Sequence, residues 1–176
     1  MLRGDTLDAA EPYAHELADE RRLTFVHPYD DERIVAGQGT VALEMLEDVP
    51  DLDVIVVPIG GGGIISGIAT AAKALRPDIE VVGVETEVYP SMYNAIHGIE
   101  GEIGGDTLAD GIAVKSPGRI TREVIERLVD DILIVAEPSI EAAVQMLLID
   151  CKLLLEGAGA TPLAAVLENG PRFEGR

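Results

Sequence analysis

Four consecutive glycines follow a fully apolar segment and precede a stretch that favours a helix. The apolar segment is residues 54–59, the helical stretch is residues 64–75, and the glycines are Gly60, Gly61, Gly62 and Gly63. Glycines leave their backbone N–H groups uncovered by side chains, and a helix N-terminus adds about half a positive charge. This arrangement predicts a site for an anionic group such as a phosphate. Close packing of the strand against the helix, without a ligand, is the structural alternative.

The glycine run does not match three known motifs for phosphate binding or nucleophilic catalysis. A Walker A loop ends in Gly-Lys-Ser/Thr, whereas Gly63 is followed by Ile64 and Ile65. No register fits Gly-x-Gly-x-x-Gly, and a Gly-x-Ser-x-Gly elbow needs a glycine where Ile64 stands. Glu85 ends the next predicted strand, near where a dinucleotide site places its ribose-binding acid. Nucleotide binding through Glu85 therefore stays open as an alternative.

The elements that position the glycines alternate between strand and helix patterns. Short apolar runs predict strands at residues 23–27, 54–59, 81–85 and 131–136. Helical patterns predict helices at residues 6–22, with Thr6 or Asp8 as N-cap, and at residues 40–47, 64–75, 91–97, 119–128, 138–155 and 162–167. Residues 27–39 and 98–118 are predicted as loops. The alternation predicts an α/β fold, a three-layer αβα arrangement with a mainly parallel sheet.

Composition excludes several classes of protein. Thirteen Lys and Arg residues against 32 Asp and Glu residues give a formal net charge of −19, which repels nucleic acid and anionic lipid. We therefore expect no nucleic-acid or membrane partner. The chain has no apolar run of about eighteen residues and no secretory pattern at its start, so a cytoplasmic location is expected. The single cysteine, Cys151, is interpreted as a core thiol on the apolar face of predicted helix 138–155.

Six longer segments, in order along nearly the whole chain, resemble one enzyme family. They are FVHPYDDERIVAGQGTVALEML (25–46), PIGGGGIISGIA (58–69), VVGVETEVYPSMYNAI (81–96), GGDTLADGIAVKSPG (104–118), VDDILIVAEPSIEAAV (129–144) and LLLEGAGATPLAAVL (153–167). The set resembles the tryptophan synthase β-like (fold-type II) family of pyridoxal-phosphate enzymes, and within it the threonine ammonia-lyases (threonine dehydratases). Serine dehydratases and serine racemases are the next most similar groups.

The resemblance implies cofactor-binding roles for seven positions: Gly60, Gly61, Gly62, Gly63, Ile64, Gly111 and Glu156. The first five would hold the phosphate of pyridoxal 5′-phosphate, the N–H of Ile64 among them. Gly111 would lie beside the cofactor ring, and Glu156 would lie near the same pocket. The alternatives are an ordinary turn glycine and an exposed carboxylate at a helix end. The C-terminus of predicted helix 138–155 disfavours a carboxylate, which favours a functional reason for Glu156.

The catalytic lysine that the resemblance implies has no counterpart in this sequence. The family uses a lysine in a Ser-x-Lys-x-Arg-Gly-like motif to form a Schiff base, and a Ser-Gly-Gly-Asn-like loop faces the pyridine nitrogen. Neither motif is present, and Lys73, Lys115 and Lys152 are interpreted as surface residues. We therefore expect an internal fragment, without a catalytic residue or turnover of its own, of an enzyme that converts L-threonine to 2-oxobutanoate and ammonia. A serine dehydratase or serine racemase and a non-catalytic cofactor-binding module are alternatives.

The resemblance also implies domain boundaries and bears on metal binding. Residues 1–22 would be a remnant of a small domain, and residues 23–176 would be part of the large, cofactor-binding domain. Some relatives bind a divalent cation through a glutamate and an aspartate; Glu85 fits the first position, but Ser91 stands at the second, so no metal is expected. His27 is interpreted as a local hydrogen-bonding residue.

The expected partners are a small amino-acid substrate and further copies of the chain. Strands missing at both ends of the predicted sheet would leave its edges unpaired, and such edges favour self-association. The sequence therefore predicts a homo-oligomer.

Overall fold

The computed structural model describes residue 4 and residues 7–176, without the side chains of residues 7 and 8. Of the predicted N-caps, Thr6 lies outside the described residues, and Asp8, whose side chain is not described, lies within the first helix. The elements in chain order are α1 (Leu7–Arg21), α2 (Glu32–Asp48), β1 (Val54–Pro58), α3 (Gly63–Leu75), β2 (Glu80–Thr86), α4 (Ser91–His97), a 3₁₀ turn (Asp110–Ile112), α5 (Arg119–Leu128), β3 (Asp131–Val135), α6 (Glu137–Ile149), α7 (Gly157–Glu168) and α8 (Gly170–Phe173).

The three strands form one parallel sheet in the order β1-β2-β3. Val54 is opposite Glu80 at one end of the first pair, and Thr86 is opposite Val135 at one end of the second. Parallel neighbours need a crossover, which α3 supplies between β1 and β2, and α4 and α5 supply between β2 and β3. The carboxyl ends of all three strands consequently meet at one edge of the sheet, where the glycine run begins.

Apolar side chains cover both faces of the sheet. Ile55 and Val81 belong to a buried cluster with α2, α3 and α5. Val84 and Val135 belong to a second buried cluster with α6 and α7. Successive strand residues point to opposite faces, so the two clusters lie on opposite sides of the sheet. The predicted α/β fold, with a parallel sheet between helical layers, is confirmed.

The prediction of a strand at residues 23–27 is wrong. A strand needs a hydrogen-bonding neighbour, and none of the described strands lies beside this segment. The segment instead turns back along α1: the N–H of Leu23 donates to the carbonyl of Ala18 (2.8 Å), and the ring of Phe25 lies 3.9 Å from that of His15. Val26 is 64% exposed, as a residue outside the sheet can be.

Helix α2 starts within the segment that was predicted as a loop. Its N-cap is Asp31, whose carboxylate accepts from the N–H of Arg33 at 2.8 Å. Glycines at positions 37 and 39 favour a loop in the sequence, but Gly39 is the point where α2 approaches α3. A Cβ on Gly39 would lie 3.1 Å from the carbonyl oxygen of Gly67. Close packing of two helices therefore outweighs the low helix propensity of glycine.

Helix α6 ends at Ile149, before the predicted end at residue 155. Lys152 has a left-handed backbone (φ 60°), and the chain there leaves the helix. Cys151 is exposed and Leu154 is 84% exposed, so the predicted apolar face beyond residue 149 and the core-thiol interpretation are wrong. The predicted start of the last long helix at residue 162 is also wrong, because α7 starts at Gly157.

The remaining elements agree with the sequence to within one residue at each end. They are the predicted strands at 54–59, 81–85 and 131–136 and the predicted helices at 6–22, 64–75, 91–97 and 119–128. No helix among the described residues has the length and apolar content that a membrane crossing requires.

Candidate functional site

The glycine run connects the carboxyl end of β1 to the first turn of α3. Gly62 is the N-cap of α3 and has a left-handed backbone, with φ +92°. A Cβ on Gly62 would lie 2.9 Å from atoms of Thr121 and of Met92. The backbone conformation and the close neighbours both require glycine at this position.

Tyr29 covers the same run from the side of the N-terminal segment. A Cβ on Gly61 would lie 2.2 Å from the ring of Tyr29, and a Cβ on Gly63 would lie 2.9 Å from its Cβ atom. The hydroxyl of Tyr29 donates to the carbonyl of Ser116 at 2.9 Å, which ties the ring to the loop before α5. Two of the glycines are therefore needed because a tyrosine packs directly on their backbone.

The carbonyl of Gly61 is held on the side facing α5. It accepts from the hydroxyl of Thr121 at 2.6 Å and from the N–H of Gly118 at 3.4 Å. In a trans peptide the next N–H points the opposite way, so the N–H of Gly62 points away from α5. Within the described residues, no hydrogen bond has as its donor the N–H of any of these residues: Gly60, Gly61, Gly62, Gly63, Ile64 and Ile65.

A cavity of about 310 Å³ lies beside these free N–H groups. Its walls are formed by Pro28, Tyr29, Gln38, Pro58, Gly60, Gly61, Gly62, Gly63, Ile64, Gly111, Ile112 and Val114. None of these side chains is charged, so attraction for an anion comes from the N–H groups and from the N-terminus of α3. The donor set and the open cradle fit a phosphate group.

Gly111 and Glu156 are next to each other, but they differ in their relation to the cavity. Gly111 is part of the wall, and a Cβ on it would lie 3.1 Å from Oε1 of Glu156 and 3.2 Å from the Cβ of Ala158. Glu156 is exposed and does not line the cavity; it is the N-cap of α7. The expectation that Glu156 follows a helix C-terminus is wrong, because α6 ends at Ile149 and Glu156 directly precedes α7. A carboxylate is favoured at a helix N-terminus, so its position there needs no functional reason.

The sequence interpretation missed residues that complete the site: Pro28, Tyr29 and Asp30 in the turn before α2, and Gln38 within α2. The carboxylate of Asp30 accepts from the N–H groups of Arg119 (3.0 Å), Ile120 (2.8 Å) and Thr121 (3.1 Å), and so caps α5. The sequence signal was the pair Asp30 and Asp31, two capping-type residues in a row. Only the first of them caps a helix distant in sequence, which no local pattern reveals.

Glu85 lies at the end of β2 and turns away from the cavity. It is fully buried, and its two carboxylate oxygens accept from the N–H groups of Met92 and Tyr93 at 2.8 Å each. Burial raises the pKa of Glu85 to about 7, against the lowering effect of those hydrogen bonds. With both oxygens engaged, this carboxylate is not free to bind a ribose, which counts against the nucleotide alternative.

None of the three lysines is among the residues that line the cavity. Lys73 pairs with Asp130 at 2.7 Å, and Nζ of Lys152 donates to the carbonyl of Ile149. Lys115 is exposed and lies against Gly104. In the described ranges, no three His, Cys, Asp or Glu side chains are grouped so as to hold a metal ion. Ser91 donates its hydroxyl to the carbonyl of Val114 at 2.7 Å.

A comparison with models of protein families identifies a family whose named cofactor carries a phosphate group, as the site requires. The family model described as pyridoxal-phosphate dependent enzyme matches residues 1–176. The chain belongs to this family, as its sequence resemblance predicted.

Individual relatives carry more specific names. The L-threonine ammonia-lyase of Thermotoga maritima is 45% identical over 169 residues, which is 95% of this chain and 42% of that protein. A catabolic L-threonine dehydratase of Staphylococcus aureus is 43% identical over 169 residues, or 95% of this chain and 49% of that protein. The chain thus spans about half the length of the curated relatives it matches.

Solved structures show the same similarity in three dimensions. A serine racemase from maize superposes with a TM-score of 0.90 at 33% identity, over 98% of this chain and 54% of that one. The processed form of threonine deaminase isoform 2 from Solanum lycopersicum superposes with a TM-score of 0.88 at 32% identity, over 99% of this chain and 48% of that one.

Proposed function

We propose that this chain holds the phosphate of pyridoxal 5′-phosphate in a threonine ammonia-lyase, which converts L-threonine to 2-oxobutanoate and ammonia by β-elimination. The observation that carries the proposal is the row of unpaired N–H groups at the start of α3, beside an uncharged cavity. Family membership supports the cofactor, and the relatives named for threonine support the reaction.

The backbone of the glycine run does the binding. The N–H groups of Gly60, Gly61, Gly62, Gly63 and Ile64 donate to the phosphate oxygens. Thr121 holds the carbonyl of Gly61, so the loop keeps its shape whether or not the anion is bound. A preformed loop avoids the entropic cost of ordering when the ligand arrives. The N-terminus of α3 adds its dipole to these hydrogen bonds.

The remaining predicted residues orient the rest of the cofactor. When bound, pyridoxal phosphate supplies an electron-withdrawing ring that stabilises negative charge on the α-carbon of an amino-acid substrate. Gly111 offers its backbone as a wall for a flat ring, and a side chain at this position would point away from the cavity, toward Glu156 and Ala158. Glu156 supports this wall from behind, since its Oε1 atom lies where a side chain at position 111 would go.

The chain alone is proposed to have no turnover. No lysine lines the cavity in the described part of the chain, so the lysine that reacts with the cofactor must come from another segment of the complete protein. Residues 1–22 are proposed to belong to the small domain and residues 23–176 to the large one. None of the extensive contacts between described elements involves α1, which supports a boundary after this helix.

A serine-directed enzyme is the second candidate, favoured by the superposition on a serine racemase. A non-catalytic cofactor-binding module is the third, favoured by the lack of a lysine at the cavity within the described residues. We further propose a homo-oligomer in the cytoplasm. Among the described elements, β1 and β3 each have a strand neighbour on one side only, and such edges favour self-association.

An assay on two forms of the protein tests the proposal. The complete protein, saturated with pyridoxal phosphate, is expected to form 2-oxobutanoate from L-threonine with a higher kcat/KM than pyruvate from L-serine. The isolated 176-residue chain is expected to form no keto acid above the background of free cofactor. A preference for serine supports the second candidate. Absence of turnover in the complete protein, together with cofactor uptake, supports the third.

A further inference from the structure

The turn before α2 is organised by one histidine ring. Nδ1 of His27 accepts from the N–H of Asp30 at 2.7 Å and from the N–H of Tyr29 at 3.2 Å. A ring nitrogen that accepts carries no proton, so the ring is neutral and its proton is on Nε2. Nε2 faces Oε1 of Glu11, in α1, at 3.7 Å. The geometry of the turn therefore selects one tautomer of His27.

The two N–H groups that donate hydrogen bonds to His27 belong to Tyr29 and Asp30, which shape the phosphate site. Tyr29 packs on Gly61 and Gly63, and its hydroxyl reaches Ser116. Asp30 caps α5, the helix whose Thr121 holds the carbonyl of Gly61. One turn thus positions the glycine run from two sides.

We infer that His27 is a positioning residue of the phosphate site, and that it performs this role only while its ring is neutral. A proton on Nδ1 replaces the acceptor by a donor that points at two N–H groups, and the turn must then open. Opening moves Tyr29 off the glycines and Asp30 off α5, so anion binding weakens as the pH falls. The inference rests on the proposed function, in that the glycine run is the anion site.

The described groups around the His27 ring are one carboxylate, a second histidine that shares it, and two aromatic rings. Glu11 is the charged group that faces its ring from α1, and His15 shares the same carboxylate at 3.6 Å. The rings of Phe25 and Tyr29 contact His27 edge-on. Of the groups around Nδ1, only His27 itself changes between acceptor and donor, so substitution at this position isolates the effect.

Two variants with opposite properties test the inference. In His27→Asn the side-chain oxygen can accept hydrogen bonds from the same two N–H groups in an Asx-type turn. Because an amide does not titrate, it can do so at both pH values. In His27→Leu the acceptor is lost at every pH. The probe is pyridoxine 5′-phosphate, which has no aldehyde and therefore does not react with Lys73, Lys115 or Lys152. Binding is measured by calorimetry on the 176-residue chain at about pH 8 and about pH 5.5, near the ends of the range in which histidine side chains change charge.

The wild-type chain is expected to lose affinity about tenfold more than His27→Asn between the two pH values. Both proteins share the ionisation of the ligand's phosphate and of the other histidines, so the difference belongs to His27. His27→Leu is expected to bind weakly at both. Equal pH dependence in wild type and His27→Asn, or wild-type affinity in His27→Leu at the higher pH, overturns the inference.

The tautomer is measured separately, without ligand. ¹⁵N NMR of the wild-type chain at about pH 8 is expected to show an unprotonated Nδ1 in His27 and an amide of Asp30 protected from exchange. A protonated Nδ1 at this pH overturns the inference. If the tautomer is as expected but the wild type binds no probe at either pH, the proposed phosphate site fails and the link from His27 to anion binding falls with it.

Discussion

Gly62 combines two requirements that only glycine meets. Its φ of +92° is left-handed, and a Cβ would lie 2.9 Å from the hydroxyl oxygen of Thr121, which holds the carbonyl of Gly61. Gly62→Ala is expected to lower the free energy of unfolding by about 1–3 kcal/mol. It is also expected to weaken the binding of pyridoxine 5′-phosphate, because Thr121 must move. Urea unfolding and calorimetric titration measure the two effects.

The chain offers a matched control for this substitution. Gly37 lies inside α2, and the position of its Cβ would be open space. Gly37→Ala is expected to raise the free energy of unfolding by about 0.5–1 kcal/mol, because alanine favours the helix, and to leave ligand affinity unchanged. A Gly62→Ala chain that binds as well as Gly37→Ala would contradict the role assigned to the loop.

Glu85 makes stability depend on pH in a direction opposite to that of most carboxylates. Burial raises its pKa from 4.5 to about 7, so the folded chain binds a proton that the unfolded chain has released in this range. The free energy of unfolding therefore falls as pH rises from about 4.5 to 7, by roughly 2–4 kcal/mol from this group.

Glu85→Gln removes the titration but loses one of two acceptors for the N–H groups of α4. The variant is expected to be less stable than the wild type near pH 4.5, to gain on it as the pH rises from about 4.5 to about 7, and to show no further relative gain above that range. Urea unfolding across this range gives the difference. A constant difference between the two proteins would show that Glu85 titrates alike in the folded and unfolded states.

At the scale of elements, α5 depends on a cap from a distant part of the chain. The carboxylate of Asp30 accepts hydrogen bonds from three N–H groups at the start of α5. Gly118, the N-cap residue of α5, has no side chain that could accept them. Asp30→Ala is expected to lower the free energy of unfolding by about 1–2 kcal/mol and to weaken ligand binding through Thr121. Asp106→Ala, an exposed carboxylate removed from a loop, is the control and is expected to change neither.

Elements that depend on local patterns were predictable, and those that depend on distant contacts were not. The glycine run, α3 and α5 follow from apolar runs, breakers and periodicity. The early start of α2 follows from the contact of Gly39 with Gly67, and the start of α7 from Gly157, where a Cβ would lie 2.2 Å from the carbonyl of Leu108. Pattern alone also could not show that residues 23–27 lack a strand partner among the described strands.

The same limit applies to the candidate site. The free N–H groups follow from the glycines themselves, whereas the covering ring of Tyr29 comes from a distant, earlier part of the chain. Gly111 was predicted from family resemblance and lines the cavity; Glu156 was predicted in the same way and lies behind Gly111. The cofactor roles of both residues stay predictions.

At the scale of the whole molecule, the charge opposes the ligand that the site is proposed to hold. A net charge of −19 repels a phosphate at long range, and the described cavity walls have no cationic side chain to offset it. Affinity must therefore come from short-range hydrogen bonds and from the helix dipole, which act within a few ångströms. This makes the free N–H groups of the loop the central element of the account.

The most direct test is an NMR titration of the ¹⁵N-labelled chain with two ligands that differ only in the phosphate, pyridoxine 5′-phosphate and pyridoxine. Saturable shifts are expected with the phosphorylated ligand, largest for the amides of Gly60, Gly61, Gly62, Gly63 and Ile64, and no comparable shifts are expected with pyridoxine. Equal shifts with both ligands, or shifts that leave these amides unchanged, would contradict the proposed phosphate site.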